Sequence, residues 1–146
     1  KAQSFREAHR ALRPSGRYLF NVWNAMEANP FSIVTHDATT RFFDDNPPQF
    51  YKLPFSYHDV PKIIEALKAS GFRDVTHEHV SIEKEIPSAE RFARGLVYGN
   101  PLCEEIRDRG GEPEDVMTAI AAALEGAFGN PGKIELSAIV FDARKD

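Results

Sequence analysis

The sequence predicts an α/β fold, and three stretches carry that expectation. Phe5 to Trp23 reads as a helix, a Pro-Ser-Gly turn and an apolar strand. Asp59 to Ile86 repeats the order with a helix, a Gly-Phe turn and a second strand. Ile134 to Ala143 is a last strand whose residues Ala138 to Phe141 are apolar without a break.

The first helix has apolar residues at Ala2, Phe5, Ala8 and Leu12, close to a one-face pattern, and Ser4 with Glu7 has the spacing of a capping box. Pro14 disfavours a helical Arg13, so the helix ends near Leu12, and Gly16 supplies the turn exit. Tyr18 to Trp23 does not alternate, as expected of a strand covered on both faces. Asn29-Pro30 then has the form of an N-cap and first helical residue, opening a helix to about Phe43 with Phe31, Val34, Ala38 and Phe42 on its apolar face.

The proline-punctuated run DDNPPQFYKLP follows, and seven of the chain's sixteen aromatic residues fall between Phe31 and Tyr57. That concentration fits two readings, a lid over a ligand or a satellite hydrophobic cluster under a long loop. Asp59 caps the next helix, with Ile63, Ile64 and Leu67 buried. Gly71 in a left-handed conformation stops it, and Phe72 makes the accompanying hydrophobic contact. Val75 to Ile86 is a long strand whose apolar phase shifts, which predicts a bulge near His79, and its charges suit a sheet edge.

Ser88 opens a helix with Ala89, Phe92, Ala93, Leu96 and Val97 on one face, ended by Gly99 and Asn100-Pro101. A short helical piece comes next, then a helix carrying Val116, Met117, Ile120, Leu124 and Phe128, with Met117 read as core. The final strand's unbroken apolar run puts it inside the sheet.

A chain of 146 residues, 42% hydrophobic, is long enough for one core. No apolar run approaches the roughly 18 residues that would span a bilayer, so no membrane partner is expected and a cytoplasmic location is the default. The lone Cys103 excludes an internal disulfide and a multi-cysteine zinc site. Net charge is -4 with acids and bases interspersed, which argues against nucleic acid as a partner.

The run EAHRALRPSGRYLFNVWN resembles the helix, LRPGG-type turn and fifth strand of class I S-adenosylmethionine-dependent methyltransferases of the small-molecule, type 11-like kind. SYHDVPKIIEALKASGFRDV is similar to the next helix and the turn into the sixth strand, and IELSAIVFDARK to the last strand. Where the family pattern has two glycines after the proline, this chain has Ser15 and Gly16. The resemblance implies the C-terminal half of a Rossmann-like sheet (strands 5, 6 and 7), with the last strand antiparallel between the other two. The family's glycine-rich loop and second-strand acidic residue have no counterpart here. Residues 1–146 are therefore read as a partial methyltransferase domain with a lid-like insertion at 25–57 and a helical substrate cap at 87–132. Lys1 is not a natural start, and the polypeptide by itself is expected to be inactive.

On that resemblance the cofactor is S-adenosylmethionine, bound mostly outside this chain, and the partner is a small-molecule methyl acceptor. Methyl transfer is an in-line displacement in which the protein supplies position and a dry pocket, so no catalytic residue can be named by motif. Trp23 and Asn24 stand where the fifth strand ends, the rim at which ligands bind in open α/β sheets. With Phe31, Phe43 and Tyr51 from the lid and Arg94 and Tyr98 from the cap, they form the candidate substrate-binding set. His36 and His58 have the chemistry of a base but equally that of ordinary surface histidines. His77 and His79 share a strand face, too few ligands for a metal site, and none is expected. Two other functions stay open: a non-catalytic binding or assembly module, and a hydrophobic-ligand carrier built on the aromatic segment. The strand Tyr18 to Trp23 is expected to have an unguarded edge, which predicts a homodimer or larger assembly.

Overall fold

A computed structural model describes all residues from Lys1 to Asp146. It is an α/β chain with helices α1 (Ala2–Ala11), α2 (Pro30–Thr40), α3 (Val60–Ala69), α4 (Ala89–Tyr98), α5 (Leu102–Asp108) and α6 (Pro113–Phe128). Strands β1 (Arg17–Trp23), β2 (Arg73–Ile86) and β3 (Gly132–Arg144) form one sheet of order β1-β3-β2. The last strand is the central one, as its apolar run predicts. The chain divides into two compact units: Lys1–Asn24, Tyr57–Val80 and Ser137–Asp146 form the first, and Ala25–Ser56 with Ser81–Leu136 the second.

In the first unit β1 and β3 pair antiparallel from Arg17 opposite Arg144 to Trp23 opposite Ala138. Directly opposed residues share a face. Tyr18, Phe20 and Val22 therefore lie with Ala143, Phe141 and Ile139, packed against Phe5 of α1, Ile63 and Leu67 of α3, and Phe72. Phe5, Tyr18, Phe20, Phe72 and Phe141 form a continuous run of ring contacts, with Phe20 stacked on Phe141 at 5.1 Å between centroids. The other face of β1 is open, with Leu19 59% and Trp23 40% exposed. This corrects the expectation of a strand covered on both faces. Arg17, Leu19, Asn21 and Trp23 alternate outward, and the apolar character of Leu19 and Trp23 hid that alternation.

The ends of α1 also differ from the sequence reading. Ser4 lies inside the helix, Lys1 is at the N-cap and no side chain caps that end, so Ser4 and Glu7 form no capping box. At the other end Lys145 Nζ donates to the carbonyls of His9 and Leu12, both at 2.8 Å. A cation there satisfies orphan acceptors and suits the helix dipole. Between α1 and β1, Ser15 takes the left-handed conformation (φ 60°). Gly16 makes the close approach: a Cβ there would meet the Arg13 carbonyl oxygen at 2.8 Å.

The entry and exit of α3 follow its sequence signals. Asp59 accepts from the Lys62 N–H. Its carboxyl is held below the usual range by the Lys62 side chain first and that backbone bond second. Gly71 stands at φ 102°, with Gly71 N–H bonded to the Lys68 carbonyl and Phe72 N–H to that of Leu67, the Schellman pair. In β2 Asp74, at the strand's start, takes the left-handed conformation (φ 46°).

The second unit gathers its two segments, Ala25–Ser56 and Ser81–Leu136, into one hydrophobic core. Phe31, Tyr51 and Phe55 share that core with Ala93, Val97, Ile106, Met117, Ile120 and Leu124. Helix α2 ends at Thr40, and its buried side is Phe31, Ser32, Thr35, Ala38 and Thr39, with Val34 half-buried and Phe42 46% exposed. The expected Phe31, Val34, Ala38 and Phe42 face is therefore rotated. Ser32, Thr35 and Thr39 return their hydroxyls to the carbonyls of Asn29, Phe31 and Thr35 at 2.7–2.8 Å, so these polar residues are buried with their donors satisfied. Cys103 is a buried free thiol.

Candidate functional site

At the carboxyl end of β1 the first unit brings three polar side chains together. Asn24 Nδ2 donates to Ser137 Oγ at 3.2 Å and lies 3.4 Å from His79 Nδ1, while the Asn24 N–H bonds the Ser137 carbonyl at 3.1 Å. The antiparallel register continues one residue past Trp23, which sets Asn24 across from Ser137. Trp23 precedes this cluster on the open face. His77 lies beside the Phe141 ring, and its own ring is 5.9 Å from that of His79. No group of three or more His, Cys, Asp or Glu residues is placed to hold a metal ion.

In the second unit Arg94 and Tyr98 stand one turn apart on α4 and converge on Glu114 in the first turn of α6. The Arg94 guanidinium donates to Glu114 Oε1 and the Tyr98 hydroxyl to Oε2, each at 2.8 Å, and the guanidinium lies 5.6 Å from the Tyr98 ring centre. Tyr98's hydrogen bond, then Arg94's, holds the Glu114 carboxyl below the usual range, while the same carboxylate raises the Tyr98 phenol. All three are exposed, so this is a preformed surface cluster with one carboxylate, one cation and one aromatic face. Glu114 lies with Asp115 in the first turn of α6, where a carboxylate suits the helix dipole whatever else it binds. The i,i+4 spacing of Arg94 and Tyr98 signalled a shared face, but nothing local signalled the acceptor opposite it.

The aromatic members of the predicted set have other neighbours. Phe31 is buried against Phe55 and Phe92, and Phe43 packs partly buried on the same core. Tyr51 is 4% exposed; its hydroxyl donates to the Leu96 carbonyl at 3.0 Å and accepts from Asn100 Nδ2 at 3.3 Å, and burial pushes its pKa up to about 12. The carbonyl keeps a second donor in Asn100 at 2.7 Å. We therefore expect Tyr51→Phe to lower stability by only about 1 kcal/mol. Chemical denaturation followed by circular dichroism checks this, and unchanged stability would mean the hydroxyl gains nothing over solvation. His36, the base considered in α2, is held below the ordinary histidine range by burial, then by Lys52.

The cofactor implied by the resemblance finds no cradle among these residues. Chain exits from β1 and β2 are Asn24-Ala25 and Pro87-Ser88, without the run of glycines that brings backbone amides up to a nucleotide. No helix is long and apolar enough to cross a membrane.

The class that this geometry defines is an α/β chain with a three-stranded sheet, an exposed tryptophan at a strand's carboxyl end and a second helical unit. No protein-family model matches the sequence, and no curated protein matches it. Among solved structures, it is similar to Haemonchus contortus phosphoethanolamine N-methyltransferase 2, in complex with phosphomonomethylethanolamine and S-adenosylhomocysteine. That match has 15% identity and a TM-score of 0.43, over 99% of this chain and 30% of that one. It is also similar to a Bacillus halodurans C-125 protein named as a candidate methyltransferase, at 15% identity and a TM-score of 0.44, over 99% of this chain and 57% of that one.

Proposed function

We propose that this chain is the C-terminal part of an S-adenosylmethionine-dependent methyltransferase acting on a small-molecule acceptor. The observation that carries the reading is the sheet order β1-β3-β2, with β3 antiparallel to β1. It agrees with the strand 5, 7, 6 arrangement implied by the resemblance of EAHRALRPSGRYLFNVWN and the two later runs. A cytoplasmic location and inactivity of the isolated 146 residues belong to the same proposal.

The cofactor supplies an electrophilic methyl group on a cationic sulfonium. The chain's own residues bind and orient the acceptor. Trp23, exposed at the rim, offers a flat apolar face, with Asn24 as a fixed amide beside it. Arg94, Tyr98 and Glu114 offer an adaptable polar surface for an acceptor's head group. Phe31, Phe43 and Tyr51 act at one remove by packing the second unit's core.

In the whole enzyme, Trp23→Ala and Tyr98→Ala are each expected to lower kcat/KM for the acceptor about tenfold or more, with S-adenosylmethionine affinity unchanged. Steady-state kinetics with calorimetry of cofactor binding checks this, and equal losses in both would refute the assignment. Calorimetry of the 146-residue chain alone discriminates against a self-sufficient enzyme, since tight S-adenosylmethionine binding there would overturn the reading.

A further inference from the structure

We infer that the outer face of α4 seats a small, flat, anionic molecule on the bare backbone of Gly95, between Arg91 and Tyr98.

The glycine carries the argument. Gly95 lies in the interior of α4, where glycine is the poorest helix former after proline. Nothing in the fold requires it there: beyond its own helix, a Cβ at Gly95 would find no heavy atom within 4 Å. The other glycines either take a positive φ or would bring a Cβ against a neighbour, except Gly126 in the last turn of α6, where a helix end frays. Alanine at position 95 would therefore stabilise α4 without a clash. Glycine instead provides backbone that a ligand can approach closely, and binding sites commonly hold such locally destabilising residues.

The surroundings of that spot set the chemistry. Arg91, Gly95 and Tyr98 fall in one i, i+4, i+7 row, so they share a strip of helix surface about 10 Å long. Arg94 borders the strip, and all four residues are exposed. Both oxygens of Glu114 are occupied, Oε1 by Arg94 Nη2 and Oε2 by the Tyr98 hydroxyl. That carboxylate balances Arg94 and fixes the Tyr98 ring. Arg91 enters no ion pair, so its guanidinium is open to an anion. A planar guanidinium fork matches a carboxylate or a phosphate, and the Tyr98 ring, 40% exposed, offers a stacking wall. The occupant that fits is a flat organic anion no longer than the strip. That this ligand is the methyl acceptor rests on the proposed function; that a ligand seats here does not.

Titrating benzoate into the isotope-labelled 146-residue chain, followed by nuclear magnetic resonance, tests the seat. No cofactor is needed, so the outcome is separate from that of the methyltransferase reading. Saturable amide shifts are expected at Gly95 and its α4 neighbours at millimolar benzoate, with benzyl alcohol, flat but neutral, binding at least about tenfold more weakly. Gly95→Ala is expected to raise the melting temperature by about 2–6 °C and to weaken benzoate binding at least about tenfold. Arg91→Gln should weaken it similarly with the melting temperature unchanged. Benzoate that shifts no α4 amide overturns the inference, and so does equal binding by benzyl alcohol. A Gly95→Ala chain that melts lower, or that binds benzoate as the wild type does, overturns it too.

Discussion

Gly71→Val is expected to destabilise the first unit by about 2–5 kcal/mol, from two sources that can be separated. The first is conformational: at φ 102° a β-branched residue sits in a region that L side chains rarely adopt. The second is steric. A Cβ at this position would lie 2.9 Å from two atoms of the His9 imidazole, whose ring packs edge-on to Phe72 at 5.1 Å. Both act on the turn that carries α3 into β2. Thermal melts of Gly71→Ala, His9→Ala and the double variant divide the cost, because removing the imidazole relieves only the steric part. Full rescue by His9→Ala would show that the backbone conformation costs nothing. An unchanged melting temperature for Gly71→Val would show that the position is not held left-handed at all.

The parts of this fold that could be read from sequence are those whose physics is local. Asp59, Gly71 and Phe72 each act on main-chain groups within a few residues, so their types and spacing sufficed to place the start and stop of α3. Elsewhere the deciding partner is remote. Ser4 and Glu7 have the spacing of a cap, yet α1 begins before them and is closed at its far end by Lys145, more than 130 residues away. Phe42 was expected to be buried and Ser32, Thr35 and Thr39 were not. The hydroxyls satisfied themselves on their own helix, and side-chain polarity alone could not reveal that. The same limit applies to the candidate site. Trp23 and Asn24 follow from the strand's end, whereas Ser137, His79 and Glu114 enter through pairings distant in sequence.

The largest effect is expected at Phe141, where truncation to alanine should cost about 3–5 kcal/mol. The side chain is fully buried, stacks on Phe20 at an interplanar angle of 10°, and has His77 on its β2 side. It therefore ties neighbouring strands on the sheet's covered face, and alanine would leave a cavity that rigid β3 backbone cannot close. Small domains hold only about 5–15 kcal/mol in all, so this one truncation removes a large share of the first unit's margin. A shift of about 4–8 °C per kcal/mol for a domain of 60–100 residues predicts a fall in melting temperature well above 10 °C. Trp23 is the chain's only tryptophan and sits on β1 in that unit, so its fluorescence reports the transition directly. Phe141→Leu keeps most of the volume and should cost clearly less, which keeps the test informative if the alanine variant does not fold. Equal losses for leucine and alanine would mean that ring stacking, not filled volume, is what this position contributes. Little loss for either would place Phe141 outside the core that sets the stability of the sheet.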